Sequence, residues 1–144
     1  MKPICRKRII HISLLLAVLA FFLVNILQAG NRIKKAETEG TKLAIAMGME
    51  PEAGFAIGHQ LLELPRVKGV TREKVASVMK ALTPIASTGE ATPETIGRLA
   101  AEAFDISTVT GVDALDVANM MVAYKTGENI PLNQLASKVL KKLS

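Results

Sequence analysis

His59 and Glu63 come closest to a metal-ligand pair, because a spacing of four residues places both on one face of a helix. A zinc site needs three or four ligands, commonly with two histidines at a fixed spacing, as in HExxH. No HExxH pattern occurs, and Cys5, the single cysteine, lies in the basic leader. We therefore predict no metal site, interpret His59 as a half-buried helical histidine, and assign no chemistry to Cys5.

The sequence also lacks the common motifs that hold a nucleophile or a phosphate. It contains no GxSxG nucleophile elbow, no Walker loop and no Rossmann glycine cluster. We therefore predict a protein that is not an enzyme and that has no cofactor. An exported enzyme whose site follows another pattern is the alternative.

Segment 98–110 (RLAAEAFDISTVT) has the outline of a helix-turn-helix DNA reader, but its charge has the wrong sign. Between positions 90 and 116 the sequence has six acidic residues and one basic residue, Arg98, which gives a net charge of −5. Phosphate binding requires the opposite charge, so we predict a structural helix and no nucleic-acid partner. We predict instead an acidic face for a protein partner, comprising Glu90, Glu94, Glu102, Asp105, Asp113 and Asp116.

The formal net charge of +5 arises largely from the leader. Four of the eighteen basic residues (Lys2, Arg6, Lys7 and Arg8) precede the apolar segment, whereas all thirteen acidic residues follow it. The part of the chain after the apolar segment, which we call the body, has the other fourteen basic residues and all thirteen acidic residues, and therefore a net charge of +1. The basic composition therefore reflects membrane topology and not a phosphate-binding surface.

Two parts of the chain can position a functional site: an apolar segment near the N-terminus and the body that follows it. Ile9 to Leu27, whose large members include Leu14, Phe21 and Phe22, is nineteen residues long and has no formal charge. A helix of this length spans about 28 Å, close to the ~30 Å hydrocarbon core of a bilayer. The basic leader predicts a cytoplasmic N-terminus and an exported body, anchored in the inner membrane.

A cleaved signal peptide is the alternative to this anchor. Ala29 could stand directly before the cut, but Leu27 is then a poor residue two positions earlier, and basic residues follow at 32, 34 and 35. An uncleaved anchor tolerates both features. We therefore predict that segment 1–29 is a signal anchor or a signal peptide. Cleavage would leave the body secreted or periplasmic.

The body reads as a polar segment at 30–42, a juxtamembrane linker or a frayed helix start, and a helical domain at 43–144. Helix-start signals recur at Thr71, Thr92 and Asp113. Glycines at nearly even steps predict the preceding helix ends, because glycine readily takes the left-handed conformation; they are Gly48, Gly69, Gly89, Gly111 and Gly127. The pattern predicts an all-α array of about five short antiparallel helices.

Apolar residues recur at helical spacing, and no alternating run of useful length predicts a strand. Pro84 is expected to kink or end the third helix, and the methionines to fill the core. The predicted core stripes are Val75, Val78, Met79 and Leu82; Ile96, Leu99, Ala100, Ala103 and Phe104; Leu115, Ala118, Met121 and Val122; and Leu132, Leu135, Val139, Leu140 and Leu143.

Three segments carry a family resemblance: LPRVKGVTREKVASVMKAL (64–82), TGEATPETIGRLAAEAFDISTVTGVDALDVANMM (88–121) and NIPLNQLASKVLKKL (129–143). Through them, residues 43–143 resemble the helical N-terminal region of long-tailed phage tail tape-measure proteins. The resemblance implies a helical module without an active site. Tape measures are far longer and do not usually begin with a basic, export-like leader, so a related protein would be one module placed behind a membrane segment.

These observations together predict a non-catalytic, membrane-anchored or exported helical protein that docks protein partners. The resemblance adds a phage origin to this hypothesis. The alternative is a tape-measure-like component of phage tail assembly. The sequence does not predict an oligomeric state.

Overall fold

The computed structural model describes the backbone of residues 3–144 and the side chains of residues 8–144. These residues form α-helices and one 3-10 helix, and they contain no strand. The helices are α1 (Pro3–Ala46), α2 (Ala53–Lys68), α3 (Arg72–Ala81), α4 (Thr83–Ala86), α5 (Pro93–Thr110), α6 (Ala114–Glu128) and α7 (Leu135–Leu143), with the 3-10 helix Leu132–Gln134 before α7. The all-α prediction is confirmed. The side chains of Lys2, Cys5, Arg6 and Lys7 lie outside the described residues.

The chain divides into two compact units, one ending at Lys35 and the other spanning Ala36–Ser144, which we call the helical domain. Helix α1 belongs partly to the first unit and partly to the second. The polar segment 30–42 lies within this helix, and the boundary between the two units lies within the polar segment. In the first unit, every described side chain is exposed. The helical domain has a hydrophobic core whose first buried residue is Ala36.

A polar side chain caps the N-terminus of three helices of the domain, as predicted. Thr71 and Thr92 each accept a hydrogen bond, at 3.2 Å, from the backbone N–H three residues on. A carboxylate oxygen of Asp113 accepts one from the N–H of Leu115 at 2.9 Å. Each bond satisfies an N–H that the first turn of a helix leaves without a backbone partner.

Four of the five predicted glycine turns are confirmed, since Gly48, Gly69, Gly89 and Gly111 all have positive φ. The prediction for Gly127 is wrong, because this residue lies inside α6. The helix ends one residue after it, and Asn129 takes the left-handed conformation, with φ of 50°. Asparagine tolerates this conformation better than most residues. Here its side-chain oxygen also accepts a hydrogen bond from Lys125 Nζ at 3.2 Å.

The predicted core stripes of α3 and α5 are buried, and so are Met47, Met79 and Met121. Two predictions in the last helices are wrong, because Leu115 and Leu140 are 39% and 38% exposed. Successive residues of a helix differ by about 100° in direction, and Leu115 and Leu140 each lie beyond the edge of the buried stripe of their helix. In α6 the buried positions before Ala118 are Ala114 and Val117, and in α7 they are Leu135 and Val139.

Pro84 acts as expected, because α3 ends at Ala81 and the proline lies in the first turn of the short helix α4. Proline is accepted there, where its missing N–H leaves no helical bond unmade. The segment with a helix-turn-helix outline, 98–110, lies entirely inside α5. It is therefore one continuous helix, in agreement with the prediction of a structural helix.

Within the helical domain, α1 and α2 cross at three glycines. A methyl group on Gly40 would meet the carbonyl oxygen of Gly54 and would lie 2.5 Å from the backbone nitrogen of Gly58. One on Gly58 would lie 2.9 Å from the carbonyl oxygen of Ala36. The pair Gly54–Gly58 (GFAIG) thus provides a close backbone approach between two helices.

Candidate functional site

The apolar part of α1 is long and apolar enough to cross a membrane. Its most apolar window has a mean hydropathy of 2.6, and none of that window is buried against the rest of the described chain. The five residues singled out in the sequence are all large and exposed: Ile9, Leu14, Phe21, Phe22 and Leu27. Exposed apolar side chains of this size are stabilised when they lose their contact with water.

His59 is exposed on α2, which corrects the prediction that it is half buried. It lies next to Gly58, one position around the helix from the face that contacts α1. In the described residues, no group of three or more His, Cys, Asp and Glu side chains lies close enough to hold a metal ion.

Three of the six acidic residues predicted as a partner face form ion pairs. Glu90 Oε2 accepts a hydrogen bond from Lys125 Nζ at 2.8 Å, and Asp105 Oδ1 accepts one from Lys68 Nζ at 2.7 Å. Along α5, Arg98 Nη1 donates to Glu102 Oε1 at 2.9 Å. These pairs leave Glu90 and Asp105 accessible, with side chains that are 58% and 62% exposed.

The Lys125 pair differs from the others in burial. Its side chain is only 5% exposed and donates both to Glu90 and to Asn129. It therefore connects the turn before α5 to the end of α6. A buried ammonium group is costly unless its donors are satisfied, which explains why two oxygens converge on it.

The other three predicted acidic residues lie at helix starts. Asp113 caps α6, Asp116 occupies its first turn, and Glu94 occupies the first turn of α5. All three are exposed. Carboxylates at these positions interact favourably with the helix dipole, so part of their role is structural.

A groove between the end of α1 and α3 was not predicted from the sequence. It encloses about 490 Å³, and its apolar wall consists of Leu43, Ala46 and Ala76. Charges of both signs line it as well, from Glu39, Lys42, Glu73 and Lys80. An apolar centre with a charged rim has the composition of a protein-binding surface more than that of a phosphate site. The two helices are distant in sequence, so no local pattern signals it.

A second unpredicted surface is the exposed side of α7, which we call the lysine face; it comprises Lys138, Lys141 and Lys142. Lys138 and Lys141 line two adjoining hollows of about 500 and 350 Å³. In the sequence these lysines are explained by the helix dipole alone, which favours cations in a last turn. That reasoning does not reveal the hollows beside them.

Comparisons with family models, with curated proteins and with solved structures found no match to this chain.

Proposed function

We propose that this is a non-catalytic helical protein that α1 anchors in the inner membrane and whose exported helical domain docks protein partners. The observation that carries the proposal is the row of fourteen large apolar side chains from Ile9 to Leu27, each 45–68% exposed. A bilayer would cover all of them at once. The basic leader supports a cytoplasmic N-terminus.

The proposed docking surface is the acidic face predicted from the sequence. Five of its six residues are exposed, and Glu90 and Asp105 present a carboxylate to solvent although each forms an ion pair, whereas Glu102 is only partly exposed. A partner with basic side chains fits this surface, because complementary charge steers association and fixes orientation. The helical domain has its own core, so it provides a firm support for such a surface.

The anchor is tested with Leu16→Arg combined with Leu19→Arg. Fourteen apolar residues at about 0.3–0.6 kcal/mol each favour insertion by at most about 4–8 kcal/mol, and two central arginines cost about 5–7 kcal/mol. We expect the wild-type chain to remain with membranes in alkaline carbonate and the double variant to be extracted. The control is Ile45→Arg with Val67→Arg, two exposed positions of the helical domain. Extraction of the wild-type chain would contradict anchoring.

N-terminal sequencing of the membrane-bound chain distinguishes an anchor from a signal peptide. If segment 1–29 is an anchor, the membrane-bound chain should keep it. A new N-terminus near residue 30 would establish cleavage and an exported soluble form. Protease added to the outer side of sealed membranes should digest the helical domain. Protection of the domain from that protease would contradict export.

The acidic face is tested by carbodiimide cross-linking in membranes, which joins carboxylates directly to lysines of a partner. Glu94 and Asp116 are the targets, because neither forms an ion pair among the described side chains. Adducts at these two positions are expected, and Glu94→Gln with Asp116→Asn should abolish them. The matched control is Glu50→Gln with Glu52→Gln, also exposed. The proposal fails if both double variants give the wild-type adducts.

A tape-measure-like component of phage tail assembly is the second candidate, favoured by the resemblance of residues 43–143 to that family. In this role the apolar segment would pack inside an assembly or penetrate a membrane. Co-purification of the chain with intact phage tails, and a gene beside tail genes, are the expected results. An isolated locus and virions that lack the chain would overturn this candidate.

A further inference from the structure

The C-terminal part of the helical domain has charge of one sign. From residue 129 to 144 the sequence has three lysines and no acidic residue. All three lysines of α7 are exposed, whereas Leu135 and Val139 of the same helix are fully buried. The core thus fixes α7 in an orientation that directs the lysine face to solvent.

Most of this charge is not neutralised within the domain. Lys138 Nζ lies 3.7 Å from Glu128 Oε2 and 5.7 Å from the centre of the Tyr124 ring. Lys141 and Lys142 form no ion pair with the described side chains. Two other lysines of the domain, Lys68 and Lys125, each bind a carboxylate. Two full positive charges therefore remain available to an external anion.

The hollows beside the lysines supply further polar groups. One is lined by Gln134 and Ser137 together with Lys138, Lys141 and Ile130, so ammonium, amide and hydroxyl donors lie beside one apolar side chain. The other is lined by the Tyr124 ring, all three lysines and Glu128, whose carboxylate already pairs with Lys138. Such a set of donors suits a phosphate group, and tyrosine favours the polar–apolar boundary of a bilayer.

We propose that the lysine face of α7 binds the phosphate headgroups of an anionic phospholipid bilayer. The proposal rests on the membrane anchoring proposed above, because a tether raises the effective concentration of the face at the bilayer. A lipid surface fits better than nucleic acid, since the face has three lysines only and the chain body is close to neutral. Each lysine near an anionic membrane raises binding about fivefold, so three give roughly a hundredfold.

Tyr124 makes this binding measurable without a label. The chain contains one tyrosine and no tryptophan, so its intrinsic fluorescence reports on this face alone. We would reconstitute the full chain in phosphatidylcholine vesicles, with or without phosphatidylglycerol, that carry a spin label on a fraction of the headgroups. Quenching of Tyr124 should at least double when phosphatidylglycerol is present. High salt should reverse the increase, because it screens the attraction.

The decisive variant replaces Lys138, Lys141 and Lys142 by glutamine. It should lose the phosphatidylglycerol-dependent quenching, and the same triple substitution to arginine should keep it. The matched control replaces three other exposed lysines, Lys42, Lys74 and Lys80, by glutamine and should behave like wild type. Equal quenching in neutral and anionic vesicles, or the same loss in both glutamine variants, would overturn the proposal.

Two further measurements separate the possible sources of failure. Flotation with neutral vesicles at high salt tests the anchor alone. If the chain does not float, anchoring fails, but Tyr124 quenching in added anionic vesicles still tests the lysine face. A DNA duplex, added at the same phosphate concentration as the lipid, should leave Tyr124 quenching unchanged. If it displaces the face from anionic vesicles, the face binds nucleic acid and the lipid assignment is overturned.

Discussion

Gly40→Ala is expected to destabilise the helical domain, although alanine is the better helix former. The added methyl group would meet the carbonyl oxygen of Gly54, and it would lie 2.5 Å from the nitrogen and 2.9 Å from the Cα of Gly58. These are backbone atoms of α2, so they cannot rotate away as a flexible side chain would. The two helices must therefore separate at their crossing.

The size of the effect follows from two opposing terms. Replacing a helical glycine by alanine stabilises by about 1 kcal/mol, whereas overpacking costs about 1–3 kcal/mol and occasionally more. Because the clash is with backbone, we expect the upper end of that cost and a net loss of about 2 kcal/mol in the free energy of unfolding. In a domain that spans Ala36–Ser144 the loss lowers Tm by roughly 9 °C.

Thermal unfolding of the full chain in detergent micelles, followed by far-ultraviolet circular dichroism, measures this effect. Gly58→Ala should be milder than Gly40→Ala, because its nearest contact is 2.9 Å. Gly127→Ala is the matched control, since no atom lies within 4 Å of the added methyl group, and it should raise stability by about 0.4–1 kcal/mol. A Gly40→Ala chain as stable as wild type, beside a normal Gly127→Ala response, would refute the close crossing.

Three further substitutions test other parts of the domain by the same unfolding measurement. Lys125→Ala should cost about 1–3 kcal/mol, because it removes a buried charged donor from Glu90 and Asn129; no change would show that this pair does not hold the two segments together. Asp113→Ala should cost about 1 kcal/mol by removing the cap of α6, and an unchanged Tm would argue against that bond. Asn129→Ala should cost about 1–2 kcal/mol, whereas Asn129→Gly should cost less, because only glycine takes positive φ freely; equal losses would point to the Lys125 bond instead.

Features that depend on local sequence could be predicted. The caps at Thr71, Thr92 and Asp113 involve bonds within one turn, so a few neighbouring residues decide them. The same holds for the glycine at the end of α5 and for the apolar stripe of that helix. The apolar segment is likewise a property of composition alone.

Features that depend on tertiary contacts could not be predicted. Helix α6 ends at Glu128 with Asn129 as its left-handed cap, and the lysine that binds Asn129 is buried and also binds Glu90 from a distant segment. The sequence shows the charges of Glu90 and Asp105 but not their cations, which come from other helices. The groove and the hollows are invisible for the same reason, since each joins residues from different elements.

The position of Ala36 determines whether the same fold can exist both tethered to the membrane and free of it. The first buried residue of the helical domain is Ala36, whereas a signal-peptide cut would fall after Ala29. Among the side chains that the structure describes, such a cut would remove none that is buried, so the domain would keep its core with or without segment 1–29. A mixture of cut and uncut chains would thus contain one fold in two states, free and tethered. Only the local concentration of its surfaces at the bilayer would differ between them.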